Sequence, residues 1–124
     1  MEIELNMKNQ NKHYKIVRVV DGKYFSYGYV KPIEYKINKW NFIKNDKPEN
    51  DLYVYDTLHN LVSHSFNVYH YTKIFECEII SANPKHEHVN ILTNILNDSP
   101  KGTVFARKVK LIREITKDEI ANIV

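Results

Sequence analysis

An Asp-Gly pair between two runs of strand-forming residues constrains the fold of this chain more than any other feature. Asp21-Gly22 separates His13–Val20, which is rich in β-branched residues, from Lys23–Val30, in which aromatic residues alternate. Asp-Gly readily adopts the left-handed backbone of a two-residue turn, whose twist matches that of the flanking strands. The sequence therefore predicts an antiparallel hairpin and a sheet built around it.

Further segments of strand and helix character follow the hairpin. Four more strands are predicted, over Ile33–Ile37, Leu52–Tyr55, Thr72–Ile80 and Thr103–Ile115. A helix of about twelve residues should follow Asp56, and a second should cover Glu87–Asn97. Thr116 and Glu119 have capping-box spacing, which predicts a short final helix. The order predicts an α+β fold: a single domain over residues 1–124, with a mostly antiparallel sheet of five or six strands and two or three helices. Residues 1–12 are expected to be flexible.

The apolar residues of each predicted helix indicate which side is buried. In the first helix they are Leu58, Leu61, Val62 and Phe66, and in the second they are Val89, Leu92, Ile95 and Leu96. Both stripes are expected to pack against the sheet. At the end of the chain the apolar residues are Ile120, Ile123 and Val124, and we expect them to form a seam for a partner subunit.

The composition excludes several classes of protein. A chain of 124 residues, 43% of them hydrophobic, is large enough for one buried core. The sequence has no apolar run long enough to cross a membrane, and its single cysteine, Cys77, cannot form an intrachain disulfide. We therefore expect a cytoplasmic protein. Its net charge of +3 is a weak basic excess, which argues against nucleic acid as a partner.

The usual catalytic and metal-binding motifs are missing from the sequence. It has three glycines and no glycine-rich phosphate loop, and it has no pair of cysteines. His86 and His88 lie two residues apart near a helix start, where their side chains diverge. We therefore expect no metal, no cofactor and no enzymatic activity.

Three arginines fall in phase with apolar residues of the predicted strands. Because side chains alternate between the two faces of a strand, Arg18 shares a face with Tyr14 and Ile16. Arg107 and Arg113 are likewise in phase with apolar positions of the long strand. These positions are Phe105, Val109 and Leu111. A guanidinium on an apolar face needs a partner, either a carboxylate or the phosphate of a ligand. A strand end or a partly covered face would also explain the pattern.

Two further features suit a ligand pocket. Polar residues lie near one side of the second predicted helix: Asn90, Thr93, Asn94 and Asn97. Their side chains are able to read a base edge, or simply to meet solvent. Phe75 is in phase with Cys77 and Ile79, which predicts a core residue, or a ring on which a base stacks if it borders an opening.

Four segments of the chain carry a resemblance to a known family: Tyr14–Tyr24, Leu52–Asp56, Ile74–Glu78 and Gly102–Leu111. Together, and over residues 14–116, they resemble the phage anti-Thoeris sponge family. Members of this family sequester the cyclic ADP-ribose isomer made by the TIR enzyme of the bacterial Thoeris defence system. They bind this signal intact and do not cleave it.

The resemblance implies a non-catalytic sponge that works in the cytoplasm of the host cell. It also implies a homodimer or higher homo-oligomer with ligand sites near the subunit contacts. The family pocket combines an aromatic wall, amide contacts and arginines on the phosphates. By this resemblance Phe75 is the wall, Asn90 the amide, and Arg18 and Arg107 the phosphate ligands. Arg113 is a further candidate ligand-binding residue from its strand phase.

Two other functions stay open on the sequence. A protein inhibitor that blocks a host enzyme by direct contact would use exposed tyrosines and the apolar last helix. An enzyme that degrades a signalling nucleotide would need a general base near its pocket, and the sequence motifs show none.

Overall fold

The computed structural model describes residues 12–26, 33–64, 71–96 and 99–123. These residues form an α+β domain, as predicted, with three helices and with seven strands where five or six were expected. The strands are β1 (His13–Val20), β2 (Lys23–Ser26), β3 (Glu34–Tyr35), β4 (Trp40–Asn41), β5 (Leu52–Tyr55), β6 (Thr72–Ser81) and β7 (Thr103–Glu114). The helices are α1 (Leu58–His64), α2 (Glu87–Leu96) and α3 (Lys117–Ala121), and two 3₁₀ turns occupy Pro48–Asn50 and Pro84–His86. The predictions for residues 1–11, Phe66, Asn97 and Val124 lie outside the described residues.

The hairpin predicted from Asp21-Gly22 is present. β1 and β2 pair antiparallel, beginning with Val20↔Lys23 next to the turn. Asp21 and Gly22 both have positive φ, of 52° and 75°, which is the backbone that a tight hairpin turn requires. β3 pairs with β2 and is a shortened form of the strand predicted over residues 33–37.

The strand pairings form a closed circuit. β6 lies between β1 and β7, β7 also pairs with β5, and β5 meets β1 through Tyr14↔Tyr55. The paired strands are antiparallel, and one isolated parallel bridge joins Ile37 to Leu111. The main apolar core lies on the inner face of this curled sheet. Its fully buried members include Val17, Tyr35, Leu52, Val54, Phe75, Cys77 and Val109.

α1 and α3 pack on the opposite face of the sheet. A second apolar cluster there joins Ile16 and Ile74 of the sheet to Leu61 of α1. Ile120 and Ile123 also pack against this cluster and are half-buried, so part of the apolar surface that was expected to form a seam with a partner subunit contacts the chain's own core. Within the described ranges, none of the helices has the length and apolar character needed to cross a membrane.

The capping box predicted at Thr116 begins α3. Thr116 Oγ1 accepts a hydrogen bond from the Glu119 amide at 3.2 Å, and Glu119 Oε1 accepts one from the Thr116 amide at 3.1 Å. The same Glu119 carboxylate accepts two hydrogen bonds from Arg113, at 2.8 and 3.0 Å. The capping box of Thr116 and Glu119 therefore begins α3 and also supplies the carboxylate that binds Arg113.

Two β-bulges in β7 change the side-chain phase that the sequence indicated. The register against β6 shifts twice, with Arg107 and Ile112 as the extra residues. Because the alternation restarts after each extra residue, Ala106 rather than Phe105 joins Val109 in the main core. The prediction that Phe105 and Arg107 share a face with the buried positions of the strand is therefore wrong.

Gly102 makes a tight turn before β7, and its replacement tests the packing of that turn. Its φ is +87°, and a Cβ there would come within 3.0 Å of Asp56 and Asn60. Gly22 has a similar φ of +75° but nothing within 4 Å of its Cβ position, so it is a matched control. In urea unfolding we expect Gly102→Ala to lower the free energy of unfolding by about 2–4 kcal/mol, and Gly22→Ala to lower it by about 1–2 kcal/mol. Equal losses would contradict the steric argument.

Candidate functional site

A buried polar cluster forms where α2 meets the start of β5. Asp51 directly precedes β5, and its side chain is fully buried. Asp51 Oδ2 accepts a hydrogen bond from Asn90 Nδ2 at 3.0 Å and lies 2.9 Å from His86 Nδ1. Because a carboxylate oxygen is an acceptor, this contact orients the imidazole with Nδ1–H donating to Asp51. Among the described residues, Asp51 Oδ1 has no hydrogen-bond partner.

Asp46 forms the outer rim of this cluster and binds Arg107. Arg107 Nε lies 3.3 Å from Asp46 Oδ1, and Arg107 Nη1 donates to the Ile43 carbonyl at 2.9 Å. Asn83 Nδ2 donates to the other Asp46 oxygen at 3.2 Å. Of the two partners that the sequence left open for Arg107, the structure supplies a carboxylate. A ligand phosphate at this position would have to share the guanidinium with Asp46.

Three potential metal ligands meet in the same cluster. One ligand atom from each of Asp46, Asp51 and His86 lies within 4.8 Å of the others, and His86 Nε2 is 3.8 Å from Asp46 Oδ1. Imidazole and carboxylate groups are able to hold a divalent cation. Such a cation would compete with Arg107 for Asp46, so the observed contacts favour a hydrogen-bonded cluster. No local sequence pattern joins these residues, because Asp46 and Asp51 lie between β4 and β5 whereas His86 lies in the distant turn before α2.

A groove lies beside the cluster, between α2 and the ends of β6 and β7. Its volume is about 340 Å³, which lies within the range of small-molecule pockets. The lining combines one aromatic ring with three amides, from Phe105, Asn83, Asn90 and Asn94. Asn94 Oδ1 is buried and has no hydrogen-bond partner in the described part of the chain. The groove lining therefore combines an aromatic ring with amide side chains, and the oxygen of one of these amides is buried without a partner.

Of the residues predicted for a ligand pocket, Asn90 lines this groove and Phe75 does not. Phe75 is 2% exposed in the main core, where its ring meets Tyr24 edge-on with the centroids 5.3 Å apart. The suggestion that a base stacks on Phe75 is therefore wrong, and Phe105 is the ring that lines the groove. The bulge at Arg107 places Phe105 on the side of β7 that faces the groove. No local sequence pattern predicts that bulge.

The other two predicted arginines have separate surroundings. Arg113 pairs with Glu119 and, at 3.4 Å, with Glu76. The hydrogen bond to Glu119 raises the pKa of Arg113, and it holds the pKa of Glu119 at about 2, below its usual range. Arg18 lies opposite Thr72 of β6, and its buried Nε has no hydrogen-bond partner among the described residues. The three arginines therefore do not form one phosphate site in this structure.

α2 turns its apolar side outward, contrary to the prediction that this stripe is buried. Its exposed large side chains are Val89, Ile91, Leu92, Ile95 and Leu96. Ile95 and Leu96 are 71% and 74% exposed. Asn90 is buried instead, because Asp51 needs a hydrogen-bond donor that an apolar side chain does not supply. The amphipathic helix is therefore real, but its orientation is the reverse of the one expected.

Comparison with known proteins gave no match: no protein-family model, no curated protein and no solved structure is similar to this chain.

Proposed function

We propose that this chain is a non-catalytic phage protein that sequesters a cyclic nucleotide-type signal, a cyclic ADP-ribose isomer, and so counters Thoeris defence. The observation that carries the proposal is the groove lining, which combines the Phe105 ring with the amide side chains of Asn83, Asn90 and Asn94. An adenine offers an aromatic face to the ring and an exocyclic amine to an amide oxygen of the lining. The resemblance to phage sponges supplies the identity of the ligand.

The position of the imidazole in the polar cluster supports binding without turnover. His86 donates to Asp51, and its Nε2 lies 3.8 Å from Asp46. His86 is also not among the residues that line the groove. A general base must come within hydrogen-bond distance of the proton that it removes. Glu87 does line the groove, so it is the residue to test if turnover is found.

Release of bound ligand by heat tests this function directly. The protein is incubated with the cyclic ADP-ribose isomer, freed of unbound ligand and denatured, and the supernatant is analysed by mass spectrometry. We expect unchanged ligand in an amount that matches the protein, together with a higher Tm in the presence of ligand. Recovery of ADP-ribose would show an enzyme, and loss of that product in Glu87→Gln would then identify its base.

Two groove variants should weaken ligand binding without unfolding the protein. Asn94→Ala removes a neutral hydrogen bond and should cost about 0.5–1.5 kcal/mol, whereas Phe105→Ala removes a stacking ring and should cost about 1–3 kcal/mol. Asn122→Ala, at the exposed end of α3, is the control and should bind as the natural protein does. Titration calorimetry measures all three. Equal affinities in the Asn94 and Asn122 variants would remove Asn94 from the site.

The exposed apolar side of α2 favours a second candidate function, inhibition of a host protein by direct contact. Contiguous exposed apolar side chains commonly mark a protein interaction surface. Residues 89–96 contain no charged side chain, so nothing on this surface repels an apolar partner. Ile91 belongs both to this surface and to the groove lining. A second copy of the chain docked on α2 would therefore also cover the groove, as the resemblance to an oligomeric family implies.

A charged substitution on α2 should distinguish self-association through this surface from contact with a host protein. If α2 forms a homodimer, light scattering at micromolar concentration gives a dimer for the natural protein. Leu92→Glu should then raise the dimer Kd by about thirty-fold, as for loss of an interface hot spot, with an unchanged circular dichroism spectrum. Lys117→Glu on α3 is the control and should stay dimeric. A monomeric natural protein would contradict self-association and favour contact with a host protein.

A further inference from the structure

The pairing of β4 with β7 brings two basic segments of the chain together. Residues 36–47 and 107–110 contain seven of the 18 Lys and Arg residues and one of the 15 Asp and Glu residues. The rest of the chain therefore holds eleven cations and fourteen acidic groups. The pairs Trp40↔Lys110 and Asn41↔Val109 join the two segments. A charge that is weakly positive over the whole sequence is thus strongly positive on one side of the fold.

Two exposed aromatic rings lie within this basic region. Trp40 is 36% exposed and Phe42 is 46% exposed. Lys110 Nζ lies 4.7 Å from the centroid of the Trp40 ring, and Lys108 Nζ lies 4.4 Å from that of the Phe42 ring. Lys108 and Lys110 are two residues apart on β7 and so share a face. Because each of them contacts one ring, the two rings and the two ammonium groups form one surface. We call these four residues the basic aromatic face.

We propose that the basic aromatic face binds single-stranded nucleic acid. Unpaired bases stack on exposed rings, and a positively charged groove or strip follows the phosphates. Lys108 and Lys110, which contact the two rings, are about 6.7 Å apart along β7, a spacing that suits two successive bases drawn apart from each other, as on sheets that bind RNA. This function goes beyond the groove and uses none of its lining residues.

The acidic groups near this face leave much of its charge available. Asp46 pairs with Arg107, and Glu78 lies opposite Lys110 across the β6–β7 pair. The exposed lysines that flank the two rings are Lys36, Lys39, Lys44 and Lys47. Charge alone would also attract an anionic membrane or an acidic protein. The rings are the feature that favours nucleic acid, because its bases stack on them, whereas an anionic membrane or an acidic protein offers only charge.

Trp40 is the only tryptophan of the chain, so its fluorescence reports directly on this face. We expect an oligothymidine of about fifteen nucleotides to quench Trp40 emission, with an affinity that falls steeply as salt increases. By fluorescence anisotropy with a labelled oligonucleotide, Lys108→Glu combined with Lys110→Glu should lower the affinity by about ten-fold or more. Lys117→Glu on α3 is the matched charge control and should change it by less than about two-fold.

Variants of Trp40 separate the contribution of stacking to the affinity from that of charge. Trp40→Ala should lower the affinity by about ten-fold, whereas Trp40→Phe keeps a ring and should lose much less; thermal melts establish that both are folded. Three results would overturn the proposal. Oligothymidine does not quench Trp40 emission, the Lys108/Lys110 variant and the Lys117 variant lose equal affinity, or duplex DNA binds as tightly as the single strand. Binding to anionic vesicles or heparin without quenching would assign the face to charge alone, and would also overturn it. Asn94→Ala should leave oligonucleotide binding intact, so this test is independent of the groove.

Discussion

Phe75→Ala is expected to lower the free energy of unfolding by about 3–5 kcal/mol, which is a large part of the total stability of a domain this size. The Phe75 ring is 2% exposed and packs in the main core against the edge of Tyr24. Its removal leaves a cavity among residues that the curled sheet holds in place, so little of the volume can be refilled. Urea unfolding followed by circular dichroism measures the loss.

Phe42→Ala is the control for this substitution. Phe42 is 46% exposed, so the same deletion there should change the unfolding free energy by less than about 0.5 kcal/mol. Phe75→Leu keeps most of the volume and should cost less than about 1.5 kcal/mol. If Phe75→Ala instead stays as stable as the natural protein and loses only ligand binding, Phe75 is a pocket wall and its assignment to the core fails.

The stability of the protein is expected to rise by about 2 kcal/mol between pH 7 and pH 9, and Lys15 is the cause. Lys15 is 1% exposed; its Nζ donates to the Tyr53 carbonyl at 2.7 Å and lies 4.2 Å from the centroid of the Tyr53 ring. Burial lowers the pKa of Lys15 from 10.5 to about 7. Between these two values the unfolded chain holds a proton that the folded chain has released. Raising the pH through this window therefore favours the folded state, and below pH 7 the cost of burying the charge is present in full.

Cys77 limits this gain at higher pH. Burial raises the pKa of the Cys77 thiol from 9.0 to about 12. Above pH 9 the unfolded chain loses a proton that the folded chain keeps, so this group lowers the stability as the pH rises. The two effects oppose each other between pH 9 and 10.5. We therefore expect a broad stability maximum in that range.

Lys15→Met should remove the increase in stability between pH 7 and pH 9. Methionine occupies a similar volume without a charge, so the protonation difference between the folded and unfolded states disappears at this position. Lys23→Met is the control, because Lys23 is exposed, and it should keep the natural pH dependence. Urea midpoints at pH 6, 7, 8 and 9 measure both variants. A natural protein with a flat profile would mean that Lys15 stays charged when folded.

The correct sequence predictions depend on contacts between near neighbours in the chain. Asp21-Gly22 makes its hairpin because both residues accept a positive φ, a property of two adjacent residues. Thr116 and Glu119 cap α3 through hydrogen bonds that span three residues. Alternation and helical spacing likewise identified most of the strands and the three helices, since each pattern repeats within a few residues.

The errors come from places where distant segments meet. The phase of β7 depends on Arg107 being an extra residue against β6, and a bulge of this kind belongs to the strand pair rather than to one strand. α2 was expected to bury its apolar stripe. Instead, the hydrogen bond to Asp51, which is distant in the chain, buries Asn90, and the apolar stripe is exposed to solvent. For both elements the local pattern was identified correctly, and a partner decided its orientation.

The sequence by itself therefore determined the α+β class, the hairpin and the helix starts of this protein, because these follow from backbone preferences and short-range hydrogen bonds. Only the tertiary structure decided which side chains meet. It joined Asp51, His86 and Asn90 in one buried cluster, moved the groove ring from Phe75 to Phe105, and concentrated the positive charge along β4 and β7. The physical reason is that a buried carboxylate, a bulge and a strand pair are each satisfied by residues remote in sequence, whose positions no local pattern encodes.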